Sequence, residues 1–155
     1  MSSRYLILVA AGSSRRMKND LPKQFMKLKG KEIVWRCAEK FRAYDQNIRI
    51  IITVNRQYRE MMESVFRGKM DGVQICEGGE TRFHSVKNAL QLIHDEDSLV
   101  GIHDAARPFV AWQTIANCFD EAEKTGNAIP VVRVNDTLRH LHGNSSHTVP
   151  RSEYF

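Results

Sequence analysis

The apolar run Leu6-Ile7-Leu8-Val9 gives way at once to Ala10-Ala11-Gly12-Ser13-Ser14, and two arginines follow. A short, unalternating apolar run suits a strand covered on both faces, so this spacing predicts a buried strand ending at Val9. The small residues after it let the backbone turn sharply and approach a ligand closely. Arg15, Arg16, Lys18 and Lys23 then bring positive charge to the space above the strand's end. Backbone donors beside fixed cations are what a polyphosphate requires, since each phosphate oxygen takes a hydrogen bond and the group carries several charges. The stretch reads as a nucleoside-triphosphate cradle, although a solvated basic loop has the same composition. Pro22 fixes the backbone just before Lys23 and limits how far that ammonium can wander.

The remainder alternates between strand and helix patterns. Lys31 to Tyr44 carries one apolar stripe through Ile33, Cys37 and Phe41 and predicts an amphipathic helix. Ile48 to Val54 is a β-branched strand. Gln57 to Phe66 is a helix with Met61, Met62 and Val65 inward. Val73 to Cys76 is a short strand, and Phe83 to Ile93 a helix with Val86, Ala89, Leu90 and Ile93 inward. Leu99 to His103 is a fourth strand, Trp112 to Lys124 a helix stopped by Gly126, and Asn127 to Val132 a fifth strand. This alternation implies βαβ units, a parallel sheet and a three-layer, Rossmann-like α/β fold. Ligands of such sheets bind beyond the carboxyl ends of the strands. The segments 10–23, 77–82 and 104–108 each follow a predicted strand, so one sheet edge would gather all three.

From Asp136 the character changes. Thr137 to His142, the turn Gly143-Asn144, and Ser145 to Val149 predict a polar hairpin. Such a hairpin is marginal alone and is expected to lie on a twin subunit. The expected division is a nucleotide-binding core, 1–135, incomplete at its C-terminal side, a β-arm, 136–151, and the start of a return to the core, 152–155.

Composition excludes several classes. No apolar run approaches the roughly 20 residues of a membrane helix. The N-terminal patch runs straight into a charged loop, unlike a signal peptide, and the protein is expected to be cytoplasmic. Net charge is +5, but the cations are distributed rather than clustered on one helix, which favours small anionic ligands over nucleic acid or a membrane. Cys37, Cys76 and Cys118 show no metal-ligand spacing and read as buried thiols in a reducing compartment. Neither GxxxxGKS/T nor GxGxxG occurs, which argues against a P-loop NTPase and a dinucleotide enzyme. Asp104 could cap the following segment, hold a ribose hydroxyl or hold a magnesium ion. His103 reads as structural. His140 and His142 would share one strand face, a weak zinc hint.

The strings VAAGSSRRM, LPKQF, EGGETRFHSV, HDAARPFV and VNDT, in this order, closely resemble the 2-C-methyl-D-erythritol 4-phosphate cytidylyltransferases of the non-mevalonate isoprenoid pathway. The resemblance runs from Tyr5 to Arg151. Its first two strings are shared with wider nucleotidyltransferases, whereas GGxxRxxSV with HDAARP is specific to this family and to related polyol-phosphate cytidylyltransferases. Ser14 stands where the family often has glycine. The resemblance implies in-line attack of a substrate phosphate on the α-phosphorus of CTP, with pyrophosphate leaving. It implies Arg16 and Lys23 as transition-state stabilisers, and Ala10, Ala11, Gly12, Gly79, Arg82, Ser85, Asp104 and Ala105 as nucleotide-binding residues. Arg107 and Thr137 would handle the sugar phosphate, and Arg151 would position it from across a homodimer. Mg2+ is the implied cofactor, with Asp104 a candidate ligand. Family members continue beyond the point matching Phe155, through a substrate-positioning lysine and an acidic ligand, so this chain is expected to be a truncated form. The alternatives are transfer to another polyol phosphate, such as ribitol 5-phosphate, and a non-catalytic nucleotide-binding fragment.

Overall fold

The computed structural model describes residues 2–12 and 21–154. Its centre is a four-stranded parallel sheet of β1 (Arg4–Ala10), β4 (Arg49–Val54), β5 (Val73–Glu77) and β6 (Leu99–Asp104), in the order β5-β4-β1-β6. The chain builds outward from β1 through β4 to β5, then returns to place β6 on the other side of β1. Strand order therefore reverses at β1, which opens a crevice beside its carboxyl end.

Two layers of helix cover the sheet. On one face α1 (Ile33–Tyr44), α2 (Arg59–Phe66) and α4 (Trp112–Thr125) pack Val34, Cys37, Phe41, Met62, Phe66, Ile115 and Phe119 against Leu6, Leu8, Ile50, Ile52 and Val54. On the other, α3 (Arg82–Leu90) and the turn after it bring Ala89, Leu92 and Ile93 onto Tyr5, Ile7 and Ile51. β1 and β4 contribute buried residues to both faces, as their continuous apolar runs require.

Several boundaries differ from the sequence reading. Lys31 and Glu32 do not open α1. They form β3, paired antiparallel with β2 (Lys27–Leu28) across Lys29 and Gly30. Both turn residues have positive φ, 48° and 79°, as a two-residue hairpin turn demands. Met61 is 41% exposed whereas Met62 is fully buried, because adjacent helical positions point about 100° apart. Leu90 lies at the end of α3 and is likewise exposed. Cys76 and Cys118 are only half-buried, unlike Cys37.

The predicted fifth strand, 127–132, is not a strand. The segment has no ladder partner, Pro130 lacks an N–H, and Ile129, Val131 and Val132 are exposed. It runs past α4, where Ala128 to Val131 and Thr114, Cys118 and Glu121 line a groove. The predicted hairpin is present as β7 (Leu138–His142) and β8 (Ser145–Val149), turning at Gly143 with φ 57°. No helix among the described residues is long and apolar enough to cross a membrane.

Candidate active site

Register brings the site together before any side chain acts. Ala10 pairs with Val54, Val54 with Glu77, and Val9 with Asp104, so four strand ends form one line. The ladders continue one residue further, with Gly78 N–H donating to Val54 (2.9 Å) and Ala105 N–H donating to Val9 (3.1 Å). The loops after β1, β5 and β6 therefore leave the sheet side by side, as the alternation of elements implied.

The loops after β1 and β5 touch. A Cβ built on Gly78 would lie 2.2 Å from the Ala11 Cβ and 3.0 Å from Ser85 Oγ, so only glycine fits this crossing. Gly79 is equally confined: a Cβ there would lie 2.3 Å from His84 Cβ. Ser85, buried on the first turns of α3, accepts from Gly79 N–H at 3.0 Å and donates toward the Thr81 carbonyl at 3.0 Å. Thr81 caps α3 by accepting from His84 N–H. Serine at 85 thus shapes the glycine loop rather than presenting a free hydroxyl. Ala11, Asn55, Arg56, Glu77, Gly78, Gly79 and Glu80 enclose a cavity of about 220 Å³. That is below the 300–1,000 Å³ usual for whole ligands, and leaves room for a base-sized group.

Lys23 sits in a short 3-10 turn, Lys23–Phe25, that follows the buried Pro22. Its neighbours anchor it. The buried Gln24 carboxamide donates to the Ala10 carbonyl at 2.6 Å, and buried Phe25 packs against Tyr58 with ring centres 5.6 Å apart. The turn carrying Lys23 is thereby fixed to the end of β1. Ser13, Ser14, Arg15, Arg16 and Lys18 lie outside the described residues.

Asp104 is the hub of the third loop. Arg82 from α3 reaches Oδ1 at 3.2 Å through both Nε and Nη2, and Arg107 Nε reaches Oδ2 at 2.9 Å. Burial alone would raise the Asp104 carboxyl, but hydrogen bonds and charge from Arg107 and Arg82 outweigh it and hold the group below the ordinary carboxylate range. Behind it, His103 Nε2 lies 2.9 Å from the Arg107 carbonyl and its ring packs 5.2 Å from Phe41. A carbonyl only accepts, so Nε2 carries the proton. Desolvation lowers the His103 imidazolium, which fits a structural rather than a proton-transferring role. Cys37 Sγ of α1 donates to the Ala105 carbonyl at 3.3 Å, and burial pushes its thiol up to about 11.

Ala10, Ala11, Gly12, Gly79, Asp104, Ala105 and Arg107 thus lie at or just after adjoining strand ends, with Arg82 and Ser85 on the first turn of α3 and Lys23 on the turn tied to Ala10. Arg151 and Thr137 belong to the base of the arm, where Arg151 Nη1 donates to the Asn135 carbonyl at 2.8 Å. Sequence reasoning did not assign Gln24, Gly78, Asn55 or Arg56. Gln24 and Gly78 were visible in the strings LPKQF and EGGETR, but their contacts depend on which strands are neighbours.

A doubly covered parallel sheet whose strand ends gather small-residue loops, a held lysine and an arginine-paired aspartate defines the class: an α/β nucleotidyltransferase. The structure of the bifunctional IspDF from Campylobacter jejuni superposes with a TM-score of 0.81 at 26% identity, covering 99% of this chain and 38% of that longer one. The family model for 2-C-methyl-D-erythritol 4-phosphate cytidylyltransferase (IspD) matches residues 5–155, and the chain belongs to that family. The enzyme of that name from Bacteroides thetaiotaomicron is 43% identical over 151 residues, covering 96% of this chain and 68% of its own length. The one from Phocaeicola vulgatus is 43% identical over 157 residues, covering 98% and 70%. The family's reaction transfers a cytidylyl group from CTP to 2-C-methyl-D-erythritol 4-phosphate, forming 4-diphosphocytidyl-2-C-methyl-D-erythritol.

Proposed function

We propose that the line of strand ends binds CTP and that its cytidylyl group passes to 2-C-methyl-D-erythritol 4-phosphate here. The observation that carries this reading is the contact between the Ala10–Gly12 and Gly78–Gly79 loops beside Asp104 and Lys23. The cavity beside Gly78 and Gly79 takes the pyrimidine, a smaller ring system than a purine, and the backbone of Ala10 to Gly12 faces the phosphates. The methylerythritol phosphate oxygen attacks the α-phosphorus in line, the bond to the bridging oxygen breaks, and pyrophosphate leaves with the charge. Such a step needs positioning and charge stabilisation more than covalent help. Lys23 and Arg16 neutralise the charge moving toward pyrophosphate. Asp104 orients Arg82 and Arg107, which turn toward the nucleotide and the sugar phosphate respectively.

A divalent cation, taken here as Mg2+, supplies further charge neutralisation on the phosphates. The described residues do not form a ready cage for it: no group of three candidate ligands occurs among them, and both Asp104 oxygens already face guanidinium donors. Mg2+ accepts this arrangement when substrate phosphates and water provide most ligands, with Asp104 as the proposed carboxylate contribution from this edge.

The arm supports a homodimer. A lone two-stranded hairpin is marginal in water, and Leu141 on it is 74% exposed. Docked on a twin, it would bring Thr137 and Arg151 to the partner's sugar-phosphate subsite. We place the enzyme in the cytoplasm, with neither nucleic acid nor a membrane as partner. The test is pyrophosphate release from CTP and Mg2+ with methylerythritol phosphate or ribitol 5-phosphate as acceptor. Release with the first alone is the expected result. Release with ribitol phosphate instead, or with neither, overturns the proposal.

A further inference from the structure

The structure assigns a two-histidine chelate for a zinc-class divalent cation to the outer part of the arm, formed by His140 and His147. These residues are directly opposed in the β7–β8 ladder, and their ring centres lie 5.2 Å apart at 73°. Directly opposed residues of an antiparallel pair share one face with Cβ atoms about 4.5–5.5 Å apart. An imidazole nitrogen sits about 2.0–2.1 Å from zinc, and roughly 1.1–1.2 Å from its own ring centre. Two rings on a tetrahedral ion therefore have centres about 5.2 Å apart. The observed separation matches that span, so chelation at this spacing asks for rotation of the rings about their side-chain bonds.

The surroundings fit a cation. Both histidines are exposed. Arg139 and Ser146 occupy the opposite face and are bound to each other there at 3.0 Å, which keeps the nearest arginine of the ladder away from the imidazoles. His142 shares the histidine face, but its opposed residue is Ser145. His140 and His142 share one strand face, as the sequence pattern predicted, and cross-strand register sets His147 rather than His142 against His140. Two imidazoles suit zinc, nickel or copper rather than magnesium, with water completing the coordination. The site is separate from the strand-end cluster and does not rest on the reading of that cluster.

Ni2+ alone, titrated calorimetrically into the full chain, tests the assignment against H140A, H147A and H142A, each checked for folding by circular dichroism. The expected result is one bound Ni2+ per chain that is lost in H140A and in H147A and kept in H142A. In the wild type, Ni2+ should also slow hydrogen exchange of β7 and β8 amides. Unchanged binding in H140A or H147A overturns the assignment and leaves the two rings as an aromatic pair only. Loss of the site in H142A overturns it too, since that outcome requires a different ligand set.

Discussion

The buried Gln24 carboxamide donates to the Ala10 carbonyl at 2.6 Å, joining the lysine-bearing turn to the last residue of β1. Gln24→Ala leaves that carbonyl without its partner, a loss of about 1–3 kcal/mol where burial persists. Displacing the turn by about an ångström can lower turnover by roughly 10²-fold. We expect kcat to fall far more than CTP affinity, measured by steady-state kinetics beside calorimetric CTP binding. Equal loss of both would contradict a positioning role.

Asp104 gives a pH signature. Its folded pKa is depressed, so the stability it contributes is present above the unfolded value, near the usual 3.9, and is lost as pH falls through the folded one. Urea unfolding of wild type and Asp104→Asn should therefore differ most near neutrality and converge in acid. A gap that persists below both values would mean that packing, not charge, carries the difference.

Gly78→Ala forces a methyl group into the space of the Ala11 side chain. Overpacking of this kind costs about 1–3 kcal/mol, and the strain falls where the two loops cross. The midpoint of thermal unfolding should drop modestly while the KM for CTP rises about tenfold or more. An unchanged KM would separate this crossing from nucleotide binding.

With its thiol near pH 11, Cys37 is almost entirely protonated at pH 8. It should react with maleimide more slowly than the half-buried Cys76 and Cys118 in the folded protein. Peptide mapping would show the order, and urea should abolish it.

Arg151→Ala should raise the KM for methylerythritol phosphate roughly 10–100-fold, the worth of a charged hydrogen bond, with little change for CTP. The residue is at the arm's base, and on the proposed homodimer a variant lacking the 138–149 hairpin should show the same defect. A defect confined to CTP would exclude its assignment to the sugar phosphate.

The parallel sheet and its loops were legible because the apolar runs of β1, β4 and β6 are local signals with sharp ends. The edge cluster followed from chemistry placed after those ends. What local pattern could not supply was register. Gln24 against Ala10 and Gly78 against Ala11 are pairs between residues far apart in sequence, fixed only once strands and loops are placed, whereas His140 against His147 follows from the two-residue turn at Gly143-Asn144. The misread segment 127–132 has strand composition, but strand character is completed by a hydrogen-bonded neighbour, which it lacks.

The crossing of the loops after β1 and β5 has room for one methyl group, now carried by Ala11. The capacity belongs to the crossing and not to either residue. Ala11→Gly would remove the worst clash of Gly78→Ala and leave the tight approach to Ser85 Oγ at 3.0 Å, so the two positions should vary as a pair. Any attempt to reshape the base-sized cavity from one loop must also retailor the other.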